Sequence, residues 1–330
     1  MARELGEQLD RLVQRAGALA PRLEAHSELG GTLFYLGEYA AARRHLEPGI
    51  ALTDPSAQWP LMLRHHMAPG VACLDYAALT LWCLGYPAQA MRRSQEALAL
   101  AQDPVHPYSL AYAQFWAAYL HHRRRDALAV QAQADALLAL ATAQGFSFWV
   151  GFGTCMRGWV LAMQGQGVEG VAQMHQGMAM VLATGQMLAR SFCLVLLAEA
   201  AGHIGQVEEG LRLLTEALAV FKASGRGDLL AEAYRLQGEL LLRQARPKAA
   251  QAEACFQQAL AIARRQQAKS WELRAAVSLS RLWQQQGKPD AARQLLAPLY
   301  SWFTEGFDTA DLQEAKALLE DETMTKQRLG

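Results

Sequence analysis

Leu36-Gly37-Glu38-Tyr39-Ala40-Ala41-Ala42 decides how this chain is read, because it comes back. It returns as Leu84-Gly85-Tyr86-Pro87-Ala88-Gln89-Ala90 and, in looser form, at Gln164–Gly170, Ile204–Gly210 and Gln286–Ala292. Aligned on Gly37, Gly85, Gly165, Gly205 and Gly287, with Arg124 and Ala245 filling two weaker copies, the turns are spaced 48, 39, 41, 40, 40 and 42 residues apart. A period of about forty residues marks a repeat array rather than two independent domains.

Each copy reads as a helix hairpin. A glycine at the end of the first helix takes a left-handed conformation at no steric cost and satisfies that helix's last carbonyls. In Gly85-Tyr86-Pro87 and Gly287-Lys288-Pro289 a proline opens the second helix, where its missing N–H is not needed. Seven residues before the turn stand Gly30, Ala78, Ala117, Gly158, Ala198, Gly238 and Ser280, all small. Five residues after it come Ala42, Ala90, Ala129, Gly170, Gly210 and Ala292, with Ala252 in the sixth copy after a two-residue insertion. Two columns of small residues let paired helices approach closely, and this order of small, large and turn positions is the tetratricopeptide pattern, stretched by longer helices. Ser94 and Gln133 interrupt a column held elsewhere by Leu46, Met174, Leu214, Phe256 and Leu296, which predicts altered packing in copies two and three.

Composition agrees. About sixty alanines stand against three isoleucines and thirteen valines, which starves any sheet of β-branched residues. The expected fold is all-α, a right-handed α-solenoid. Its parts are a half-repeat over 1–20 (a second helix only), seven hairpins over 21–303, a capping helix over 304–322 and a flexible tail over 323–330. With 31 basic and 31 acidic residues the chain carries no net charge, which argues against nucleic acid as a partner. The most apolar run, 191–201, is too short to span a bilayer, and the first residues lack a signal-peptide core, so no membrane association and a cytoplasmic location are expected. Cys73, Cys83, Cys155, Cys193 and Cys255 form no CxxC pair and are read as reduced core thiols.

Arg3–Leu9, Thr32–Leu52 (TLFYLGEYAAARRHLEPGIAL), Leu81–Ala90 (LWCLGYPAQA) and Phe303–Glu320 (FTEGFDTADLQEAKALLE) resemble the carboxyl-terminal repeat region of bacterial class III adenylate/guanylate cyclases that also carry a STAND-type AAA ATPase. More distantly, the chain is similar to the repeat domain of large ATP-dependent LuxR-type transcription activators. The resemblance implies a sensor or partner-binding arm that governs a nucleotide-driven switch, with an ATPase or cyclase module upstream. Those modules are not in this sequence: no GxxxxGK[ST] occurs.

Chemistry-bearing motifs are few. Gly165-Gln166-Gly167-Val168-Glu169-Gly170 fits GxGxxG, but a helix rather than a strand is expected before it, Arg190 lies where an acidic residue belongs, and the glycines coincide with the repeat columns. His121-His122-Arg123-Arg124-Arg125 is the densest basic run and reads as a solvated turn, with an acidic or phosphate contact as the alternative. His65-His66 has no spaced partner for a metal. No catalytic constellation, metal or cofactor is expected. The functional surface of such a solenoid is its concave groove. Carrying the groove positions along the repeat selects Tyr35, Asp75, Trp82, Gln114, His121, Trp159, Glu199, Arg235, Glu239 and Arg281. Aromatic rings beside isolated polar groups suit a protein or peptide partner, with a small-molecule ligand as the alternative; the competing reading is that Trp82 and Trp159 pack between the helices.

Overall fold

The computed structural model describes residues 19–53, 67–102 and 106–329, with side chains over 21–53, 67–102 and 106–320. Residues 1–18 of the expected half-repeat and the pair His65-His66 lie outside the described residues. Fifteen helices are present among the described residues, and no strand. The first hairpin is α1 (Leu19–Leu36) with α2 (Tyr39–Ala51), the second α3 (Pro69–Leu84) with α4 (Pro87–Ala101), and the third α5 (Pro107–Arg123) with α6 (Ala127–Gln144). The fourth is α7 (Ser147–Met163) with α8 (Gly167–Ala183), and the fifth α9 (Ala189–His203) with α10 (Val207–Ser224). The sixth is α11 (Leu230–Arg243) with α12 (Ala249–Arg265), the seventh α13 (Lys269–Gln285) with α14 (Pro289–Trp302), and α15 (Ala310–Leu329) packs on the last pair. Helical backbone therefore continues through 323–329, where the sequence suggested a tail.

First helices are the inner ones. In α3 every residue but Tyr76 is buried, whereas α4 buries only Pro87, Ala90, Ser94, Ala97 and Ala101 on one stripe. Gly85 closes α3 with φ +94°, and Pro87 opens α4. Gly158 and Gly170 show why the columns are small: a Cβ on Gly170 would stand 2.5 Å from the carbonyl oxygen of Gly158. The GxGxxG stretch thus lies at a helix-to-helix turn and along a helix contact.

The third hairpin corrects the alignment. Its left-handed turn residue is Arg125, φ +62°, not Arg124, so Gly85, Arg125 and Gly165 stand 40 residues apart. Val130 and Ala134, one position on from Ala129 and Gln133, fill the buried columns. Ser94, in the second hairpin, stays in its column, buried with a hydroxyl that has no hydrogen-bond partner.

The repeat does not announce that the array closes on itself. Trp82 of α3 meets Trp271 of α13 edge to face, with ring centroids 4.6 Å apart. The Ser270 hydroxyl donates to the Trp82 carbonyl. In the first hairpin, Tyr39 Oη donates to the Asp228 carbonyl (3.0 Å) and Tyr35 O accepts from Gly227 N (2.8 Å), both in the loop before α11. Glu305, after α14, accepts from the N–H groups of Ala88 (2.9 Å) and Gln89 (3.0 Å), capping α4 from the far end of the chain. Accessible surface is 14974 Å², against roughly 13,400 Å² for a compact 36.2 kDa protein.

The basic run lies in this seam, which overturns its reading as a solvated turn. Arg123 is wholly buried, its guanidinium 4.5–5.8 Å from the rings of Phe34, Trp82, Tyr119 and Trp271 and bonded to Tyr119 Oη and Cys83 Sγ. Arg124 pairs with Asp308 (3.4 Å), and Arg125 with Glu314 (2.6 Å) and Asp311 (3.5 Å). The acidic partner of the run is the chain's own last segment. All five cysteines are free, four of them buried.

Candidate functional site

The closed array holds a cavity of about 380 Å³ between the third to seventh hairpins and α15. Inner helices supply its wall: Trp159 and Met163 from α7, Glu199 and His203 from α9, Arg235, Glu239, Leu240 and Arg243 from α11, and Arg274, Val277, Ser278 and Arg281 from α13. Asp311 and Glu314 of α15 complete it opposite Arg125. Trp159, Glu199, Glu239 and Arg281 occupy one repeat position, six residues before their respective turns, so the solenoid stacks them along its inner face.

The polar groups are interlocked. Glu199 Oε2 accepts from His122 Nε2 (2.8 Å) and the Trp159 indole N–H (3.2 Å), and the His122 ring meets Trp159 edge to face at 4.6 Å. Burial alone would raise the Glu199 pKa, but the adjoining His122 imidazole outweighs it and holds the carboxyl below its usual value. Arg235 grips Glu232 through both oxygens (2.8 Å each) and also reaches Glu239. Burial acts against Glu232 as well, yet Arg235 and Arg274 bring its pKa down to about 2. The Arg235 guanidinium is correspondingly raised: Glu232 and Glu239 overcome its own desolvation. Ser278 donates to Glu239 (2.9 Å). Arg274 binds Asp311 (2.9 Å) and the Arg123 carbonyl while lying over Trp82 and Trp271. No group of three or more His, Cys, Asp or Glu side chains that could hold a metal ion exists among the described residues.

Of the ten groove residues read from the sequence, Trp159, Glu199, Arg235, Glu239 and Arg281 line this cavity. The other five stand elsewhere. Tyr35 packs under the Arg226 guanidinium (4.6 Å) and against Tyr76, and Trp82 is sealed against Trp271. Asp75 is buried with neither oxygen bonded, and Gln114 is half-buried with its carbonyl oxygen unpaired. His121 lies at the turn, 3.9 Å from Asp126. The one-residue register shift explains this last placement: with the turn at Arg125, the groove position falls on His122, the residue that meets Glu199 and Trp159. Arg125, known from the sequence only as part of the basic run, and Arg243, Arg274, Asp311 and Glu314, which no repeat position selects, also line the cavity. Arg125 had a signal, the even 40-residue step; Asp311 and Glu314 had none, because α15 is not a repeat and reaches the site only through closure.

No protein-family model matches the chain, and no curated protein sequence does. Solved structures do. A Rap protein complexed with competence and sporulation factor superposes with a TM-score of 0.61 at 14% identity, over 92% of this chain and 80% of that one. A STAND protein with a tetratricopeptide repeat sensor from Pyrococcus horikoshii gives 0.53 at 10%, over 98% of this chain, which spans half the length of that protein. Aspartyl phosphate phosphatase F from Bacillus subtilis gives 0.52 at 10%, over 88% and 73%. At these identities the likeness is one of fold: the chain is a tetratricopeptide-type α-solenoid. Among the described residues no helix is long and apolar enough to cross a membrane.

Proposed function

We propose that this chain is a non-enzymatic, cytoplasmic recognition arm whose interior cavity takes a short segment of a peptide or protein and, in a larger assembly, reports its presence to a signalling ATPase of the STAND type. One observation carries the reading: residues from five consecutive hairpins, the third to the seventh, and α15 converge on one cavity, while Trp82, farther along the inner face, is covered by Trp271. At about 380 Å³ it falls at the lower end of ligand pockets, too small for a helix and suited to a few side chains. Apolar Leu240, Val277 and Met163 share the lining with charged groups, a mixture that suits the side chains and backbone of a peptide. Likeness in fold to a Rap protein complexed with a factor and to a STAND sensor supports the same reading. The cyclase connection rests on the sequence resemblance alone.

The volume also favours a second reading, a small metabolite as ligand. The deciding experiment screens the full chain by thermal shift against a short-peptide library and a metabolite set, followed by titration calorimetry on the hits. A peptide hit that loses at least tenfold in affinity in Met163→Trp, which adds bulk to the cavity lining, supports the proposal. A metabolite hit with the same sensitivity establishes the second reading, and hits indifferent to Met163→Trp overturn both.

A further inference from the structure

Three guanidinium groups on the open side of the cavity are under-used. Arg125 engages its partners through Nη1 alone, and Arg281 engages Glu314 through Nη2 alone. Arg243 makes one bond, to the Gly202 carbonyl (3.2 Å), and a loose 4.0 Å approach to Glu239. Their side chains are 44–53% exposed, so their remaining N–H groups are open to a ligand. The carboxylates are each engaged within the protein: Glu199 through Oε2 with His122 and Trp159, Glu239 through Oε1 with Arg235 and Ser278, and Asp311 chiefly with Arg274. With five arginines against four carboxylates in the lining, and the three exposed guanidinium groups holding the unused donors, the open side favours negative charge.

Glu314 stands apart from the other carboxylates. One oxygen meets Arg125, from the turn of the third hairpin, and the other meets Arg281, from the seventh. A carboxylate forked between two arginines that no local helix contact brings together is the geometry in which an anionic ligand would be held. We infer that Arg125 and Arg281, flanked by Arg243, form an anion site in which Glu314 is the resident occupant, and that a carboxylate or phosphate group of the cavity's ligand displaces it. The inference rests on the cavity being a ligand site. Displacement removes the shorter of the two contacts between Arg125 and α15 and leaves only the 3.5 Å approach to Asp311, so entry of the ligand loosens the contact between the end of the chain and the third hairpin. Binding and opening of the seam are then one equilibrium: the ligand gains what Glu314 loses.

The test uses the full chain, calorimetry at fixed ionic strength, and three probes: inorganic phosphate, N-acetylated Ala-Leu-Leu as the free acid, and the same peptide as its C-terminal amide. Glu314→Gln should bind phosphate or the free-acid peptide about five- to tenfold more tightly than the parent, the return of one or two partly exposed ion pairs. Arg281→Ala should abolish that gain and Arg281→Lys should keep part of it. Arg281 is half-exposed, and an unchanged far-ultraviolet circular dichroism spectrum of Arg281→Ala checks that the fold is kept. Hydrogen exchange over 310–320 should quicken when probe is added to the parent chain. Free acid without amide binding identifies a chain-end carboxylate; phosphate alone identifies a phosphorylated ligand. Equal affinity in parent and Glu314→Gln, or no binding by either, overturns the inference. A library peptide bound in a Met163→Trp-sensitive but Glu314-insensitive way leaves the recognition arm standing without the anion site. Phosphate bound through Arg281 with no peptide hit does the reverse.

Discussion

Trp82 and Trp271, from the second and seventh hairpins, meet edge to face with ring centroids 4.6 Å apart, between the guanidinium groups of Arg123 and Arg274. This pair converts a linear array, in which each repeat touches only its neighbours, into a closed one whose ends share a core. Cations over indole faces, removed from water, strengthen the contact.

Trp271→Ala should cost about 3–5 kcal/mol, the usual loss for a buried tryptophan, and should also leave Arg123 and Arg274 without a facing ring. Urea unfolding should move to lower concentration and lose cooperativity, since repeats freed from the seam unfold separately. Unchanged cooperativity would mean that the seam does not couple the ends.

Glu232 should make stability depend on acid. Its folded pKa of about 2 lies below the ordinary 4.5, so its contribution is complete above pH 4.5 and is lost as pH falls through 2. That contribution is on the order of 3 kcal/mol. Denaturant midpoints from pH 6 to 3 should fall more steeply for the parent than for Glu232→Gln.

Asp75 has the opposite sign. Burial raises its pKa, so the chain takes up a proton there on folding; its contribution is complete below 3.8 and is lost as pH rises toward the folded value. Asp75→Asn should therefore stabilise the protein at pH 7, by about 1 kcal/mol or more. The gain should vanish below about pH 4. A destabilised variant at pH 7 would show that the carboxylate has a partner in solution.

Gly170→Ala separates packing from nucleotide chemistry. The new methyl would meet the Gly158 carbonyl oxygen at 2.5 Å and Ala162 N at 2.6 Å, both backbone, so the helices must part. Overpacking of this kind costs about 1–3 kcal/mol, more than the roughly 1 kcal/mol that alanine gains over glycine in a helix. Calorimetric melting should show the net loss.

How much was legible in the sequence follows from which interactions are local. Turn residues and small columns act within one repeat, so hairpins such as α3 with α4 could be read directly from Gly85, Pro87 and Ala90. Trp159, Glu199 and Glu239 line the cavity as the repeat positions imply, because each inherits its direction from a repeated backbone. Trp82 was assigned to the same groove and lies on the same side, but Trp271 covers it. Whether a solenoid closes depends on small rotations summed over all its repeats, and no single residue states that sum. The basic run was misread for the same reason: its counter-charges, Asp308, Asp311 and Glu314, lie at the other end of the chain. The sequence points to His121 rather than His122 because its glycine spacing sets the turn at Arg124, whereas Arg125 makes it.

Small-angle X-ray scattering of the dilute chain tests the closed array most directly. A closed array of 330 residues should give a radius of gyration near 20 Å, the value for a compact domain of this length. It should rise in Trp271→Ala. A radius several ångströms larger in the parent chain, unmoved by that substitution, would describe an open superhelix and contradict the account.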